Sequence, residues 1–143
     1  MVPLDERFTQ LLQGASRAWR QALERHLKAR GLTAAGWSAV AAVAASERPP
    51  SQRELARQLG VDGATLVATI DRLAAGGLVE RRQDMHDRRI KQIVLTDKGR
   101  ALAGEVQREA AALRRVLLAR LDAGQLAVAA AVLEELQQLL ETA

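Results

Sequence analysis

Apolar side chains recur at every third or fourth position along most of this sequence, and that period is typical of α-helices that bury one face. Such a stripe predicts a first helix over residues 4–29, and Thr33 is well placed to cap a second helix that ends before Pro49-Pro50. Further stripes predict a long helix from about residue 97 to 120, capped by Thr96, and a last helix capped by Asp122. The pattern therefore predicts a mainly helical fold.

Two shorter helices are predicted between these longer ones. Ser51 caps the first of them, and Glu54, three residues on, is placed to bond back to it, as in a capping box. Gly60 ends this helix, Asp62 can cap the next, and Gly76-Gly77 ends that one in turn. Two short helices joined by a tight turn that contains glycine predict a helix-turn-helix.

The periodicity changes after this motif. Residues 78–82 and 89–95 are rich in valine, isoleucine and leucine, and the six residues between them are mostly polar or charged. The alternation is imperfect, but the two runs predict a β-hairpin, and a hairpin directly after a helix-turn-helix is a wing. We therefore predict a winged helix-turn-helix at residues 32–100, flanked by dimerisation helices at 1–31 and 101–143, in a chain of one domain.

Composition suggests a class of partner and excludes several kinds of site. The chain has 143 residues and a net charge of +4, and a basic domain of this size attracts polyanions, nucleic acid above all. It contains no cysteine, which rules out disulfides, thiolate zinc sites and cysteine nucleophiles, and its two histidines lie too far apart for a metal pair on one helix. We expect no metal, no cofactor and no catalytic residues, because no nucleophile is paired with a base.

The N-terminus and the apolar runs bear on localisation. The first residues lack a basic start followed by an apolar stretch, and no apolar run approaches the roughly 20 residues of a membrane span. We therefore expect a cytoplasmic protein with no membrane partner.

Several motifs together resemble those of one family of regulators. They are Leu32-Thr33 with Trp37, the run 52–62, the run 71–82, and Asp87-Arg88-Arg89 followed by 95–99. In order and spacing they are similar to the MarR family over about residues 10–140, and the segments 17–20 and 65–69 are most similar to its SlyA branch. The resemblance implies a dimeric winged helix-turn-helix transcription factor, often released from DNA by a small aromatic or phenolic anion.

The second helix of the motif is the predicted recognition helix, which must present side chains to base edges in the major groove. With Leu66, Ile70 and Leu73 turned inward, its outward positions are Ala64, Thr65, Ala68, Thr69 and Arg72. Threonine hydroxyls can bond phosphates or bases, and Arg72 can reach the backbone or guanine. Proteins of the SlyA branch usually carry arginine at the position of Ala68, so we expect specificity here to depend more on groove shape.

The wing and the start of the first motif helix supply the other predicted DNA contacts. They are Ser51, Gln52, Arg53, Arg81, Arg82, His86, Asp87, Arg88, Arg89 and Lys91. The resemblance assigns Arg88 to the minor groove, and we expect Asp87 to orient its guanidinium by a charge-assisted hydrogen bond. The alternatives are that the hairpin is a solvated charged surface and that Ser51 serves only as a cap.

A second set of residues suggests a small-molecule pocket. In the SlyA-like pattern the positions of Arg17 and Trp37 face a space between the dimer helices and the winged part, and Arg20 and Ala41 belong to the same set. Arginine can hold a carboxylate with two hydrogen bonds and a tryptophan ring can cover an aromatic ligand, which predicts a site for an aromatic carboxylate or a phenol. The alternative is that Trp37 belongs to the core and Arg17 to a salt bridge.

Apolar residues of the terminal helices lack a partner within a compact winged core, and a two-fold homodimer is the simplest way to bury them. They are Leu4, Phe8, Leu11, Leu117, Leu121, Val132, Leu136 and Leu140. The leading hypothesis is a homodimeric regulator, most simply a repressor, that binds a pseudo-palindromic operator in double-stranded DNA. It would respond to a small aromatic or phenolic anion. The alternative is a ligand-independent architectural or counter-silencing protein for A/T-rich DNA.

Overall fold

Six α-helices and one two-stranded antiparallel sheet form the structure, a computed structural model that describes all residues from 1 to 143. In chain order the elements are α1 (Leu4–Lys28), α2 (Ala34–Ala45), α3 (Gln52–Leu59), α4 (Gly63–Ala75), β1 (Val79–Gln83), β2 (Lys91–Leu95), α5 (Asp97–Leu118) and α6 (Ala123–Glu141). The predicted fold class, mainly helical with a hairpin wing, is confirmed.

The chain divides into two compact units, residues 1–107 and residues 108–143. The first unit holds α1 to α4, the sheet and the beginning of α5, and the second holds the rest of α5 and α6. The boundary between them therefore falls inside a helix.

The helices of the first unit start where the sequence predicts caps. The Thr33 hydroxyl accepts a hydrogen bond from the backbone N–H three residues on at 2.9 Å, the Ser51 hydroxyl does the same at 3.1 Å, and that of Thr96 at 3.0 Å. Each bond satisfies an N–H group that has no partner inside its helix. Only one half of the predicted capping box forms, because the Glu54 side chain makes no return bond.

One hydrophobic core lies in the first unit, and every element of that unit contributes to it. Its most enclosed side chains are Leu27, Val40, Leu55, Leu66, Ile70, Ile93 and Val106. The predicted inward face of α4 is confirmed, since Leu66, Ile70 and Leu73 are all buried. The core holds α4 from behind and leaves its opposite face to solvent.

The hairpin forms with a slightly later second strand than predicted. β1 and β2 pair in the register Val79 opposite Leu95. The second strand begins at Lys91 because the Ile90 backbone still belongs to the turn, where its carbonyl accepts from the Asp84 N–H at 3.0 Å. The predicted start at residue 89 is therefore two residues too early.

The segment before α3 adds a short third contact to the wing. Ser51 forms an isolated antiparallel bridge with Gln92, and the Ile93 N–H donates to the Pro50 carbonyl at 2.9 Å. The start of α3 is thereby attached to β2, so the helix-turn-helix and the wing share backbone hydrogen bonds.

The beginning of α5 is fixed to the junction between α4 and β1. The Thr96 hydroxyl donates to the Gly77 carbonyl at 2.6 Å, and the Thr96 N–H donates to the Leu78 carbonyl at 3.0 Å. Gly99 packs so closely on the same segment that a Cβ atom there would lie 2.1 Å from the Leu78 carbonyl oxygen. Glycine is therefore required at position 99 by the close approach of two backbones.

The second unit has a different character from the first. Asp122 caps α6 as predicted, accepting from the Gln125 N–H at 2.8 Å. No residue of α6 is buried, and its exposed large apolar side chains are Val128, Val132, Leu133, Leu139 and Leu140. This unit therefore does not cover its own apolar surface.

No single helix is both long and apolar enough to cross a membrane, and only α5 and α6 taken together, as a bent and broken pair, meet the criteria of length and composition.

Candidate nucleic-acid interface

The outward face of α4 differs from the prediction at one position. Ala64, Thr65, Ala68 and Arg72 are exposed, as expected for side chains that meet a groove. Thr69 is buried, with 5% of its surface exposed, and its hydroxyl donates to the Thr65 carbonyl at 3.1 Å. The prediction that Thr69 faces outward is therefore wrong, because it lies on the same helical face as the core residues of α4.

Val67, and not Thr69, lies on the outward face of α4. Its side chain is 38% exposed, between Ala64 and Ala68 on the solvent side of α4. Sequence analysis missed this residue, although helical spacing alone places position 67 away from positions 66 and 70. A methyl-bearing side chain here can contact thymine methyl groups in a major groove.

The start of α4 is fixed by Asp62. Its carboxylate accepts from the Thr65 backbone N–H at 2.7 Å and from the Thr65 hydroxyl at 2.9 Å. These two bonds, the backbone one first, hold the pKa of Asp62 below its ordinary value. Since the Thr65 hydroxyl already donates to Asp62, it presents a methyl group and an acceptor oxygen outward.

The wing tip is built around a pair that the sequence prediction assigned differently. The Asp87 carboxylate accepts from the Arg89 Nε and Nη2 atoms, each at 3.1 Å, and from the Arg89 backbone N–H at 3.0 Å. The Arg89 side-chain bonds and then its backbone bond lower the pKa of Asp87. The expectation that Asp87 orients Arg88 is therefore wrong, because the two-point pair forms with the residue two positions on.

The two adjacent arginines at the tip consequently differ. Arg89 is 91% exposed in its side chain yet held in one orientation, whereas Arg88 is exposed and forms no ion pair. Both residues and Lys91 lie where the sequence predicts a basic wing. The tip is shaped further by Asp84, which accepts from the His86 N–H at 2.7 Å and was not singled out from sequence.

A cleft of about 690 Å³ separates the wing tip from the start of α3. It is lined by Ser51, Gln52, Arg53, Glu54, Asp87, Arg89, Ile90 and Lys91. The structure thus brings together six of the predicted DNA contacts, and it adds Glu54 and Ile90, which the sequence analysis did not assign to DNA. Three cations and the free N–H groups of a helix start face two carboxylates, an arrangement that favours a phosphate oxygen.

Two other predicted contacts have partners inside the protein. Arg81 pairs with Asp71 at 2.7 Å and donates to the Gln52 side chain at 3.0 Å. Arg82 is directed differently and pairs with Glu80 of its own strand at 3.4 Å. Arg81 is therefore engaged within the protein and is not a free cation of the wing.

The predicted effector residues lie on α1 and α2. Arg17 and Arg20 are exposed on α1, where Arg20 donates to the Ser16 hydroxyl at 3.4 Å. Trp37 packs half-buried against the core, as the core alternative predicts, and Ala41 is half-buried on the same helix. Neither the cleft at the wing nor a second cavity of about 430 Å³ between α2, β2 and α5 is lined by any of these four residues.

A sequence model of the MarR family matches residues 30–90, from just after α1 to the wing. The crystal structure of the transcriptional regulator PA3341 is 39% identical, covers 95% of this chain and 99% of that protein, and superposes with a TM-score of 0.81.

Two more distant structures share the fold. AbsC, a MarR family transcriptional regulator from Streptomyces coelicolor, is 23% identical over 100% of this chain and 99% of its own, with a TM-score of 0.83. Staphylococcus aureus MarR in complex with salicylate and kanamycin is 19% identical over 97% of this chain and 93% of its own, with a TM-score of 0.87.

Proposed function

Since the chain belongs to the MarR family of transcriptional regulators, which bind DNA, we propose that it acts in the cytoplasm as a homodimeric, sequence-specific repressor and not as an enzyme. Its operator is a pseudo-palindrome whose half-sites lie about one helical turn apart. The observation that carries the proposal is the wing tip, where an exposed arginine is held ready by a carboxylate beside a basic cleft.

The wing supports binding in a minor groove. Arg89 is oriented by Asp87 before any DNA arrives, so less side-chain freedom is lost on binding than for a free arginine. Narrow A·T-rich minor grooves concentrate negative potential and attract such a guanidinium. We therefore assign the minor-groove contact to Arg89, with Arg88 and Lys91 as nearby phosphate contacts.

The exposed face of α4 supports a major-groove contact of modest chemical variety. Thr65, Val67 and Ala68 offer methyl groups, and Arg72 offers the one cation on that face. The start of α3, with Ser51 and Arg53, is placed to meet phosphates through N–H groups.

The homodimer is supported by the uncovered apolar surface of the terminal helices. Leu4 is 79% exposed, Leu11 59% and Leu140 66%. Obligate interfaces of the kind that bury such helices cover roughly 2,000 Å² or more.

An effector response is the further part of the proposal, and we place the protein in the SlyA-like branch on the sequence pattern around Arg17 and Thr65. A small aromatic carboxylate or phenol would bind near Arg17, Arg20, Trp37 and Ala41. Such a ligand would release DNA only if it bound more tightly to a conformation of the protein that does not fit the operator than to the DNA-bound conformation. Salicylate is the first probe, because a protein of the same fold binds it.

Fluorescence anisotropy on a duplex from the region upstream of the protein's own gene tests the proposal. We expect tighter binding to this duplex than to a scrambled duplex of equal composition at physiological salt, and weaker binding when salicylate is added. Equal affinity for both duplexes would overturn sequence-specific repression. An Arg17→Ala variant should keep the DNA affinity and lose the salicylate response.

Alanine variants of the two tip arginines refine the same experiment, because both remove one positive charge. We expect Arg89→Ala to weaken DNA binding by about tenfold or more, and Arg88→Ala to weaken it less. An equal or larger loss for Arg88→Ala would return the minor-groove contact to that residue.

A second candidate function has one observation in its favour. Three of the exposed residues on α4, Ala64, Val67 and Ala68, have no hydrogen-bonding side-chain atom. A ligand-independent architectural or counter-silencing protein for A/T-rich DNA would need no base reading by this helix. It predicts an affinity set mostly by salt and unchanged by aromatic acids.

A further inference from the structure

Arg81 connects three separate parts of the first unit through one side chain. Its Nε donates to the Gln52 Oε1 atom at 3.0 Å, at the first residue of α3. Its Nη2 lies 2.7 Å from the Asp71 Oδ1 atom and 3.4 Å from the Val67 carbonyl oxygen, both on α4. Arg81 itself is the central residue of β1.

The rigidity of the guanidinium makes this more than three separate contacts. The guanidinium is planar and its N–H donors point in fixed directions. While both bonds are made, the position of Gln52 is therefore fixed relative to that of Asp71. The Arg81 side chain is 26% exposed, and that of Asp71 60%. The pair is thus only partly shielded from water and contributes little to the free energy of unfolding. Its main effect is to fix the position of α4 relative to β1.

The neighbouring arginine shows that the arrangement is specific. Side chains alternate along a strand, so Arg81 and Arg82 point to opposite faces of β1. Arg82 is 65% exposed and meets only Glu80, two residues before it on the same strand. Arg81 therefore connects the wing to both α3 and α4, whereas the Arg82 side chain forms its ion pair within β1.

We propose that Arg81 is a positioning residue, which sets the recognition helix α4 at a fixed place relative to the wing and to the phosphate-facing start of α3. This inference rests on the proposed DNA-binding function. A duplex presents its grooves and phosphates at fixed spacings, so a protein that contacts several of them at once needs those parts held in register. Arg81 supplies that register without using its paired charge on DNA.

The Asp71→Asn variant tests the proposal by the sign of its effect. Removing a carboxylate from a DNA-facing surface favours DNA binding if only charge matters, and a released Arg81 would favour it further. If Arg81 acts by position, the loss of its partner on α4 weakens binding to the upstream duplex, and we expect about a fivefold loss. Tighter binding by Asp71→Asn would overturn the proposal.

Glu80→Gln is the matched control. It also removes one carboxylate beside an arginine of β1, but that arginine makes no contact with α4. We expect unchanged or slightly tighter DNA binding. A loss equal to that of Asp71→Asn would show that the effect is not specific to the Arg81 contacts, and would overturn the proposal.

Arg81→Gln adds a readout that a merely structural role would not move. A partly unfolded population lowers the affinity for upstream and scrambled duplexes by the same factor, whereas misplacement of α4 lowers the ratio between them. We expect that ratio to fall about fivefold, with Asp71→Asn giving no further loss in the double variant. A constant ratio would contradict positioning.

Salt dependence separates position from direct contact, since the Arg81 Nη1 atom has no partner within the protein. If Arg81 bound a phosphate, the slope of log affinity against log salt would fall by roughly 0.9 in Arg81→Gln. We expect an unchanged slope, and a slope reduced by that amount would overturn the proposal. If the wild type itself does not distinguish the two duplexes, the proposed function fails first, and that outcome is separate from all of these.

Discussion

The winged core and the last helix both carry apolar side chains at helical spacing, but the core buries them and the last helix leaves them exposed. Leu27, Leu55, Ile70 and Ile93 have no exposed surface at all. On α6, by contrast, Val128 is 65% exposed and no residue is buried. The first region completes its core within one chain, and the second leaves an apolar face open.

The contrast shows that hydrophobic periodicity identifies a face but not its partner. The stripe of α4 and the stripe of α6 have the same helical spacing in the sequence. The α4 stripe meets α2, α3 and β1 within the same unit, whereas for the α6 stripe a second copy of the chain is the proposed partner. Stability of the two regions should accordingly depend on different variables, the one on packing and the other on protein concentration.

The largest expected effect comes from placing charges on the open face. Leu133→Glu with Leu140→Glu puts two carboxylates seven residues apart on one side of α6, where both side chains are exposed within the chain. We expect the mass measured by light scattering to fall to that of a monomer, while circular dichroism shows helices still formed. Met85→Glu, on a wing residue that is 96% exposed, is the control and should leave the mass unchanged. A double variant that stays dimeric would contradict this use of α6.

A smaller but sharp effect is expected where two backbones meet in the closed region. A methyl group at position 99 would overlap the Leu78 carbonyl, so Gly99→Ala should destabilise the fold by about 1–3 kcal/mol or more. Gly63→Ala is the matched control, because it also lies in the first turn of a helix but has no atom within 4 Å of the added carbon. It should be neutral or stabilise by about 0.4–1 kcal/mol. Urea denaturation measures both, and equal stabilities would contradict the close approach.

The smallest effect is a pH dependence at the start of α4. The pKa of Asp62 is lowered in the folded protein, so its contribution to stability is present above the ordinary carboxyl value and is lost as the pH falls through the lowered value. Asp62→Asn keeps an acceptor for the Thr65 N–H but does not titrate. Melting temperatures from about pH 5 to about pH 3 should therefore fall less for the variant than for the wild type. Parallel curves would show that the cap does not carry this dependence.

Local signals were the most predictable part of the molecule. Thr33, Ser51, Asp62, Thr96 and Asp122 cap helices where the sequence places them, because a cap depends only on residues within one turn. The hairpin and its place after α4 followed from equally local patterns.

The errors concern contacts that local patterns do not determine. The prediction places only Leu66, Ile70 and Leu73 on the inward face of α4 and so leaves Thr69 outward. A hydroxyl can nevertheless be buried at little cost once it donates to a carbonyl one turn back, as that of Thr69 does. From sequence alone Asp87 could pair with Arg88 or with Arg89. In the folded turn its carboxylate also accepts from the Arg89 backbone N–H, which places it beside the Arg89 side chain. Arg81 shares a face of β1 with buried Val79, a signal that was available, but its partners on α3 and α4 come from distant parts of the sequence.

The short sequence separations within the winged core also suggest which part of the chain folds first. The bond between Thr96 and Gly77 joins residues 19 positions apart, and the pairing of β1 with β2 joins residues that are closer still in the sequence. Short loops cost little entropy to close and do so quickly, without waiting for another molecule. Covering α6 in the proposed dimer requires two chains to meet, which is slow when the protein is dilute. We therefore expect a newly made chain to have its wing and α4 in place before it meets the second copy of the proposed dimer.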